Sequence, residues 1–400
     1  MNLTSGYPYW LINSGLPNKF EKLYQDVKTD VVILGGGISG ALTSYYLINS
    51  GIDCILVDAR TIGLGSTCAS TSLLQYELDT PLCKLSKQIG FKKAARSYKL
   101  CSESIDTLND ISNKLKFKEF EKNNSLFYAA YKKHDELIHE EYLIRKKCGF
   151  QVEHLIENDI EKGYGFSASS AILSEQGGTT DAYLFTHALL KESEKKGLRI
   201  YDRTNITEIE YKKRSVKLRT ENNCNITAKK IVNATGFEIT EFINKKIVKL
   251  ISTYALISEN IKTPSPVWND KILIWNTDDP YLYLRLTKDN RVIIGGRDED
   301  FSNAVKRDKL IKKKSTQLVK DFEKLFPEIE LLPEFRWTGT FGTTKDSLPY
   351  IGTYEKTPHT YYALGFGGNG ITFSVIAAEI ICDLIKSKRN ANAELFSFQR

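Results

Sequence analysis

Three glycines and one acid set the chemistry open to this chain. Gly35, Gly37 and Gly40 take the spacing G-x-G-x-x-G inside Asp30-Val-Val-Ile-Leu-Gly-Gly-Gly-Ile-Ser-Gly, and Asp58 follows Gly40 by 58 − 40 = 18 residues. The first glycine permits a tight turn, the second lets backbone approach a diphosphate, and the third lets helix and strand pack closely. Ile38 and Ser39 open the helix that follows, where unpaired N–H groups and the helix dipole favour an anion. Asp58, with Ala59 beside it, stands where a carboxylate would bind the hydroxyls of an adenosine ribose. An apolar strand before the glycines and a helical run stopped by Gly51 supply the context. A βαβ unit whose glycines merely turn the chain leaves the placed acid unexplained.

A second glycine-rich helix start lies more than three hundred residues later. Gly365-Phe-Gly-Gly-Asn-Gly-Ile-Thr372 opens an apolar helix running to about Ile385, with Gly367, Gly368, Asn369, Gly370, Ile371 and Thr372 at its head. Two such termini suit one long ligand, its diphosphate on the first and, on the second, a ring that turns anionic when reduced. Amides at Gly368 to Ile371 would stabilise charge at flavin N1 and its neighbouring carbonyl. NAD has little use for the second terminus, so the cofactor read here is FAD.

Between the two, small and polar residues follow Asp58 for a dozen positions. Gly65, Ser66, Thr67, Thr71, Ser72 and Leu73 are expected to line the cofactor between diphosphate and ring; a loop and a capped helix is the plainer account. Asn233-Ala-Thr-Gly236 ends an apolar strand and brings Thr235 and Gly236 to the cofactor edge of a sheet. Candidates for the substrate wall are Gln75, Tyr76, Tyr283 and Arg285. By the strand period of two, Tyr281, Tyr283 and Arg285 share one face and Leu282, Leu284 and Leu286 the other. The leucines have a core to face; the Tyr/Tyr/Arg side faces either solvent, which composition alone favours, or a substrate cavity with Arg285 as an anion anchor.

Positioning these residues takes about two domains' worth of chain, since 400 residues exceed what one core usually holds. Apolar content of 41% and charged content of 26% are those of a globular protein, and a net charge of +7 spread over many segments gives nucleic-acid binding little support. No run approaches the ~18 apolar residues of a membrane span, and the opening lacks a signal-peptide pattern. Seven scattered cysteines without a C-x-x-C pair, and five histidines without ligand spacing, argue for reduced thiols, a cytoplasmic setting and no metal site.

Amphipathic helices are expected from about Ser97 to Leu115 and Asp135 to Lys147, with a loop at Gly163 to Phe166 and a short strand at Ala171 to Ser174. Gly177-Gly178 reads as punctuation before a helix capped by Thr180 or Asp181. A meander follows over Asn205 to Ala228, then a separate strand from Ile231. Antiparallel strands cover Ile247 to about Arg297, and a solvated helical stretch Asp300 to Phe326. Trp337 to Gly352 reads as a loop entering a strand. The aromatic cluster Tyr7 to Leu11 packs on the body, with a subunit contact, and hence a homo-oligomer, as the second account.

With these residues assembled, residues 29 to 386 resemble the FAD-dependent D-amino-acid oxidase-like superfamily, the group of glycine oxidase and sarcosine oxidase. The resemblance rests on the first fingerprint, the Ser/Thr-rich loop at 66 to 72, Asn233-Ala-Thr-Gly236, Thr344-Lys-Asp-Ser-Leu-Pro-Tyr-Ile-Gly352 and Gly365 to Thr372. It implies an α/β plus α+β architecture: a discontinuous Rossmann-like (GR2-type) FAD domain at 28–95, 175–245 and 338–390, an antiparallel-sheet substrate domain at 96–174 and 246–337, and a leader at 1–27 packed on the body. It also implies that Ile206 meets the adenine, that Arg60 flanks the ribose, and that Gly339 of Trp337-Thr-Gly339 borders the site. The amino-acid oxidases resembled place arginines near positions held here by Phe341 and Gly368, which makes Arg285 the substitute for gripping a carboxylate. Sarcosine oxidase-like members attach flavin through a cysteine in the region of 339–343; none stands there, so the FAD is expected to be non-covalent.

The function that follows is oxidation of the C–N bond of an amine or amino acid by hydride transfer to flavin, with oxygen, a quinone or a carrier as the electron acceptor. Two others stay open: oxidation of a 2-hydroxy acid or polyol, and an FAD-binding subunit with a structural or partner role.

Overall fold

A computed structural model describes residues 2–241, 243, 247–261 and 271–400. The chain folds around two mixed α/β sheets. The first runs, strand by strand, Tyr350–Thr353, Thr360–Leu364, Asn225–Asn233, Val27–Leu34, Cys54–Val57, Arg199–Tyr201. From Thr360–Leu364 onward these neighbours are parallel. Parallel strands are covered on both faces and so read as unbroken apolar runs, which accounts for Val31-Val-Ile-Leu34 and Cys54-Ile-Leu-Val57. Alternation then sends Val31, Ile33 and Leu56 into a core with the helices Ile38–Asn49, Phe91–Leu115, Ala182–Lys195 and Gly370–Ile385, and Val32, Leu34, Ile55 and Val57 into a second core with Val216, Leu218 and Ile226.

That second core is covered by the expected meander, Ile206–Tyr211 paired antiparallel to Val216–Thr220 and that strand antiparallel to Asn225–Asn233. The separate strand expected from Ile231 is the continuation of the nine-residue Asn225–Asn233, which leaves the meander to enter the parallel sheet. Asp181 caps Ala182–Lys195, its Oδ1 accepting from the Leu184 amide at 2.8 Å.

The second sheet runs Thr4–Gly6, Pro333–Thr343, Lys249–Asn260, Arg291–Glu299, Tyr283–Leu286, Leu273–Asn276, Phe120–Tyr128, Ser170–Thr180, Leu73–Gln75, with Val152–Ile156 also on Ser170–Thr180. Its pairings are antiparallel, except that Leu273–Asn276 lies parallel to Phe120–Tyr128. One face, with Leu256, Leu284, Leu286 and Ile294, closes on Leu318 and Phe322 of the helix Ile311–Leu325. So the lysine-rich stretch expected to be solvated hides an apolar stripe, and even Lys314 is buried, pairing with Glu299 at 2.5 Å. The opposite face meets the leader: Tyr9 and Trp10 are buried with Ala255, Ile257 and Trp337.

Several expected boundaries move. Gly163 lies inside the helix Glu157–Tyr164, and Gly165 ends it in the left-handed region. Gly177 and Gly178 do not punctuate; they belong to the eleven-residue strand Ser170–Thr180, where a Cβ on Gly177 would stand 2.8 Å from the Asn123 carbonyl oxygen. Trp337 is in strand rather than loop. The divisions expected at 95/96, 174/175 and 337/338 fall inside Phe91–Leu115, Ser170–Thr180 and Pro333–Thr343.

Candidate active site

The two sheets meet over a cavity of about 760 Å³ that reaches from the first glycine turn to the second, a size ordinary for a ligand pocket. At the first turn Gly35 has φ 105°, and a Cβ there would come 2.4 Å from the Ala234 carbonyl oxygen. Gly37, Ile38 and Ser39 line the cavity, and the Ile38 amide donates to Thr67 Oγ1 at 3.0 Å. Gly40 does not line it. A Cβ on Gly40 would lie 1.8 Å from the Gly35 carbonyl oxygen, so this glycine serves helix–strand contact behind the turn and not the ligand.

Asp58 closes the far corner. Its Oδ2 accepts from the Gly36 amide at 2.6 Å and its Oδ1 from the Arg60 amide at 2.7 Å. Burial pushes this carboxyl up, opposed by those two amides. Ala59 and Arg60 also border the cavity, and Arg60 Nη1 donates to Glu238 Oε2 at 3.0 Å. Gly65, Ser66, Thr67, Thr71, Ser72, Leu73, Ile206, Thr235, Gly236 and Gly339 line the middle.

At the other end Gly367, Gly368, Asn369, Gly370, Ile371 and Thr372 form the wall below the last helix. Asn369 Nδ2 donates to the carbonyls of Gln75 at 3.1 Å and Glu77 at 2.8 Å, tying this helix start to the strand Leu73–Gln75. The Gly368 amide is not open to a ligand as expected, because it donates to Asp79 Oδ2 at 3.1 Å. Gln75 and Tyr283 face the cavity.

Two candidates for the substrate wall lie elsewhere. Arg285 shares the strand face of Tyr283 but sits under the Ser/Thr-rich loop, only 3% exposed. Its Nε donates to the Thr71 carbonyl at 2.8 Å, its Nη2 to that of Thr180 at 3.3 Å, and its guanidinium lies 5.3 Å from the Trp10 ring centre. Two carbonyls and an aromatic face already use the cation, so it braces the loop and anchors no substrate anion. Tyr76, just past the strand Leu73–Gln75, lies away from the cavity, wholly buried, with Ser174 Oγ 3.0 Å from its hydroxyl and the Arg145 guanidinium over its ring.

Sequence reasoning places Tyr281 on the face of Tyr283 but misses two acids near it, Asp298 in the cavity wall and Asp79 behind that wall. Tyr281 lines the cavity and donates from its hydroxyl to Asp79 Oδ1 at 3.0 Å. Asp298 lines it beside Thr253, pushed up to about 7 by burial, with Oδ1 buried and no donor bonded to it. A signal for it existed: Gly295-Gly296 inside a strand marks close approach, and a Cβ on Gly295 would fall 2.3 Å from the Tyr283 hydroxyl. Asp79 carries no local signal, since its partners are 202 and 289 residues away.

The cavity can be tested for the cofactor. Ser66 Oγ, Ser72 Oγ and Gln75 Nε2 are buried without a protein partner although their residues line it, and buried polar groups are ordinarily paired. A ligand rich in hydroxyls and carbonyls supplies what they lack. No cysteine or histidine is among the described lining residues, so none offers the flavin a covalent link there. FAD fits these residues.

Fold and cavity together define a flavin-dependent oxidoreductase of mixed α/β architecture. The chain matches the family described as "DAO: FAD dependent oxidoreductase" over residues 30–384, and it belongs to that family. It is similar to the Bacillus subtilis (strain 168) protein named "Putative Rieske 2Fe-2S iron-sulfur protein YhfW", 25% identical over 98% of this chain and 75% of that one. Glycine oxidase of the same organism is 23% identical over 92% of this chain and 96% of that enzyme. Among solved structures, L-proline dehydrogenase from P. horikoshii superposes with a TM-score of 0.78 at 19% identity, covering 94% of this chain and 97% of that one.

Proposed function

We propose that this chain oxidises the C–N bond of an amine or amino acid, the carbon giving its hydride to non-covalently held FAD and the resulting imine being hydrolysed by water. The observation that carries this reading is the one cavity joining a glycine turn suited to a diphosphate with a second helix start backed by a tyrosine wall. Named activities of the relatives, glycine oxidation and proline dehydrogenation, support it.

FAD supplies the two-electron acceptor when bound. The chain's residues would position it: Gly37, Ile38 and Ser39 at the diphosphate, Asp58 and Arg60 at the ribose, Ser66, Thr67, Thr71 and Ser72 along its length, and Gly370 to Thr372 at the ring. Gln75, Tyr281 and Tyr283 would shape the space above the ring and keep water from it. On this reading the first sheet is the core of a GR2-type FAD domain and the second carries the substrate. Seven unpaired cysteines suit a reducing, cytoplasmic setting; among the described residues no helix is long and apolar enough to cross a membrane.

Amine is favoured over alcohol because glycine oxidase and L-proline dehydrogenase, similar proteins whose names state a substrate, are named for C–N substrates; an alcohol proton would have to leave with the hydride to a base near the ring, a part that Asp298 could take as well. Anaerobic mixing of the purified flavoprotein with amines, amino acids and 2-hydroxy acids tests the reading. Bleaching of the flavin band by an amine or amino acid is expected. Bleaching by a hydroxy acid alone, or by no member of the panel, overturns it.

A further inference from the structure

The ring end of the cavity is built from aromatic faces and acid. Tyr281, two residues before the start of the strand Tyr283–Leu286, and Tyr283 stand with ring centres 5.7 Å apart, and Asp298 lies three residues beyond Gly295, against which Tyr283 packs. Asp298 presents a buried carboxylate oxygen to which no protein donor is bonded. Asp79 adds a second acid behind Tyr281. Set against these, the only lysine or arginine among the described lining residues is Arg60, at the ribose end and bonded to Glu238. Arg285, on the tyrosine face, holds the Thr71 and Thr180 carbonyls under the Ser/Thr-rich loop and does not line the cavity.

A carboxylate entering this space would lose its water and meet another carboxylate with no cation lining that end, since Lys314, whose charge reaches Asp298, lies outside the cavity and is paired with Glu299. A cation would gain on both counts, through Asp298 and through the electron-rich ring faces. We infer that the substrate is an amine without an α-carboxylate that arrives as a cation, its ammonium group received between Tyr281 and Tyr283 by Asp298, which takes one N–H proton so that the neutral amine's carbon can then give its hydride. This rests on the C–N reading and narrows it from amine or amino acid to amine.

The test uses the FAD-loaded protein and reads binding apart from turnover. Tetramethylammonium and acetate are each titrated while the flavin absorption band is followed, and bleaching rates are compared within the pairs butylamine against norvaline and benzylamine against phenylglycine, both enantiomers of each acid included. The expected result is a saturable spectral change with tetramethylammonium and none with acetate, and bleaching at least tenfold faster by each amine than by its amino acid. Asp298→Asn is expected to weaken tetramethylammonium binding at least tenfold while FAD stays bound. Saturable binding of acetate, faster bleaching by the amino acids, or unchanged tetramethylammonium binding in Asp298→Asn overturns the inference; the first two need no variant and so do not depend on its folding. Should no compound bleach the flavin while tetramethylammonium still binds and acetate does not, the C–N reading falls and the cation site stands.

Discussion

The Tyr281 hydroxyl donates to Asp79 Oδ1 at 3.0 Å while the other oxygen of the same carboxylate accepts from the Gly368 amide at 3.1 Å. One acid therefore joins the tyrosine wall of the second sheet to the glycine turn of the first.

Removing the hydroxyl should loosen that joint. In Tyr281→Phe the half-buried Asp79 keeps one donor and loses the other, and a hydrogen bond to a charged group contributes roughly 1.5–3 kcal/mol. Thermal unfolding is expected to fall accordingly, with faster loss of FAD on dilution. An unchanged melting temperature would show that the wall and the turn hold separately.

Asp298 makes stability depend on pH in a stated direction. Burial raises its folded value to about 7 from an ordinary 3.8, so the folded state holds a proton that the unfolded chain releases, and stability falls as pH rises between those values. The groups acting on it are Thr253, Asp79, Lys314 and Asp279. The shift is equivalent to at most about 4 kcal/mol. Asp298→Asn removes the titration, so its melting temperature should gain on wild type as pH goes from 4 to 7; a difference constant across that range would contradict the assignment.

Gly40 and Gly163 make a matched pair. A Cβ on Gly40 would lie 1.8 Å from the Gly35 carbonyl oxygen, whereas nothing stands within 4 Å of one on Gly163, inside a helix. Gly40→Ala should part the helix Ile38–Asn49 from the strand Val27–Leu34 and abolish FAD retention. Gly163→Ala should stabilise by about 0.4–1 kcal/mol. Flavin content after gel filtration and the two melting temperatures decide it.

Arg285→Gln distinguishes a brace from an anchor. If the guanidinium holds the Thr71 and Thr180 carbonyls, the variant leaves buried acceptors short at about 1–3 kcal/mol each, lowering the melting temperature and FAD affinity together. A variant with normal stability that lost affinity only for anionic ligands would restore the anchor.

Much of this site could be read from the chain because its devices are local. Gly35 to Gly40, Asp58 and Gly365 to Thr372 carry their geometry in spacing that one turn and one helix impose. Arg285 shows where such reading stops. Alternation put it correctly on the face of Tyr283, but how far along that face the cavity extends depends on Thr71, 214 residues away. Asp79 was hidden for the same reason. Gly177-Gly178 misled because glycine marks close approach between strands as well as turns, and only the Asn123 backbone across the sheet decides which.

The short strand Thr4–Gly6 lies along Trp337–Gly339 at the rim of the second sheet, and the opposite rim ends in the three-residue Leu73–Gln75. Both ends of a ten-stranded sheet are thus blunted against the unpaired N–H and C=O rows that invite other chains. Displacing Thr4–Gly6 would bare part of the eleven-residue strand Pro333–Thr343 and open a route to edge-to-edge aggregation.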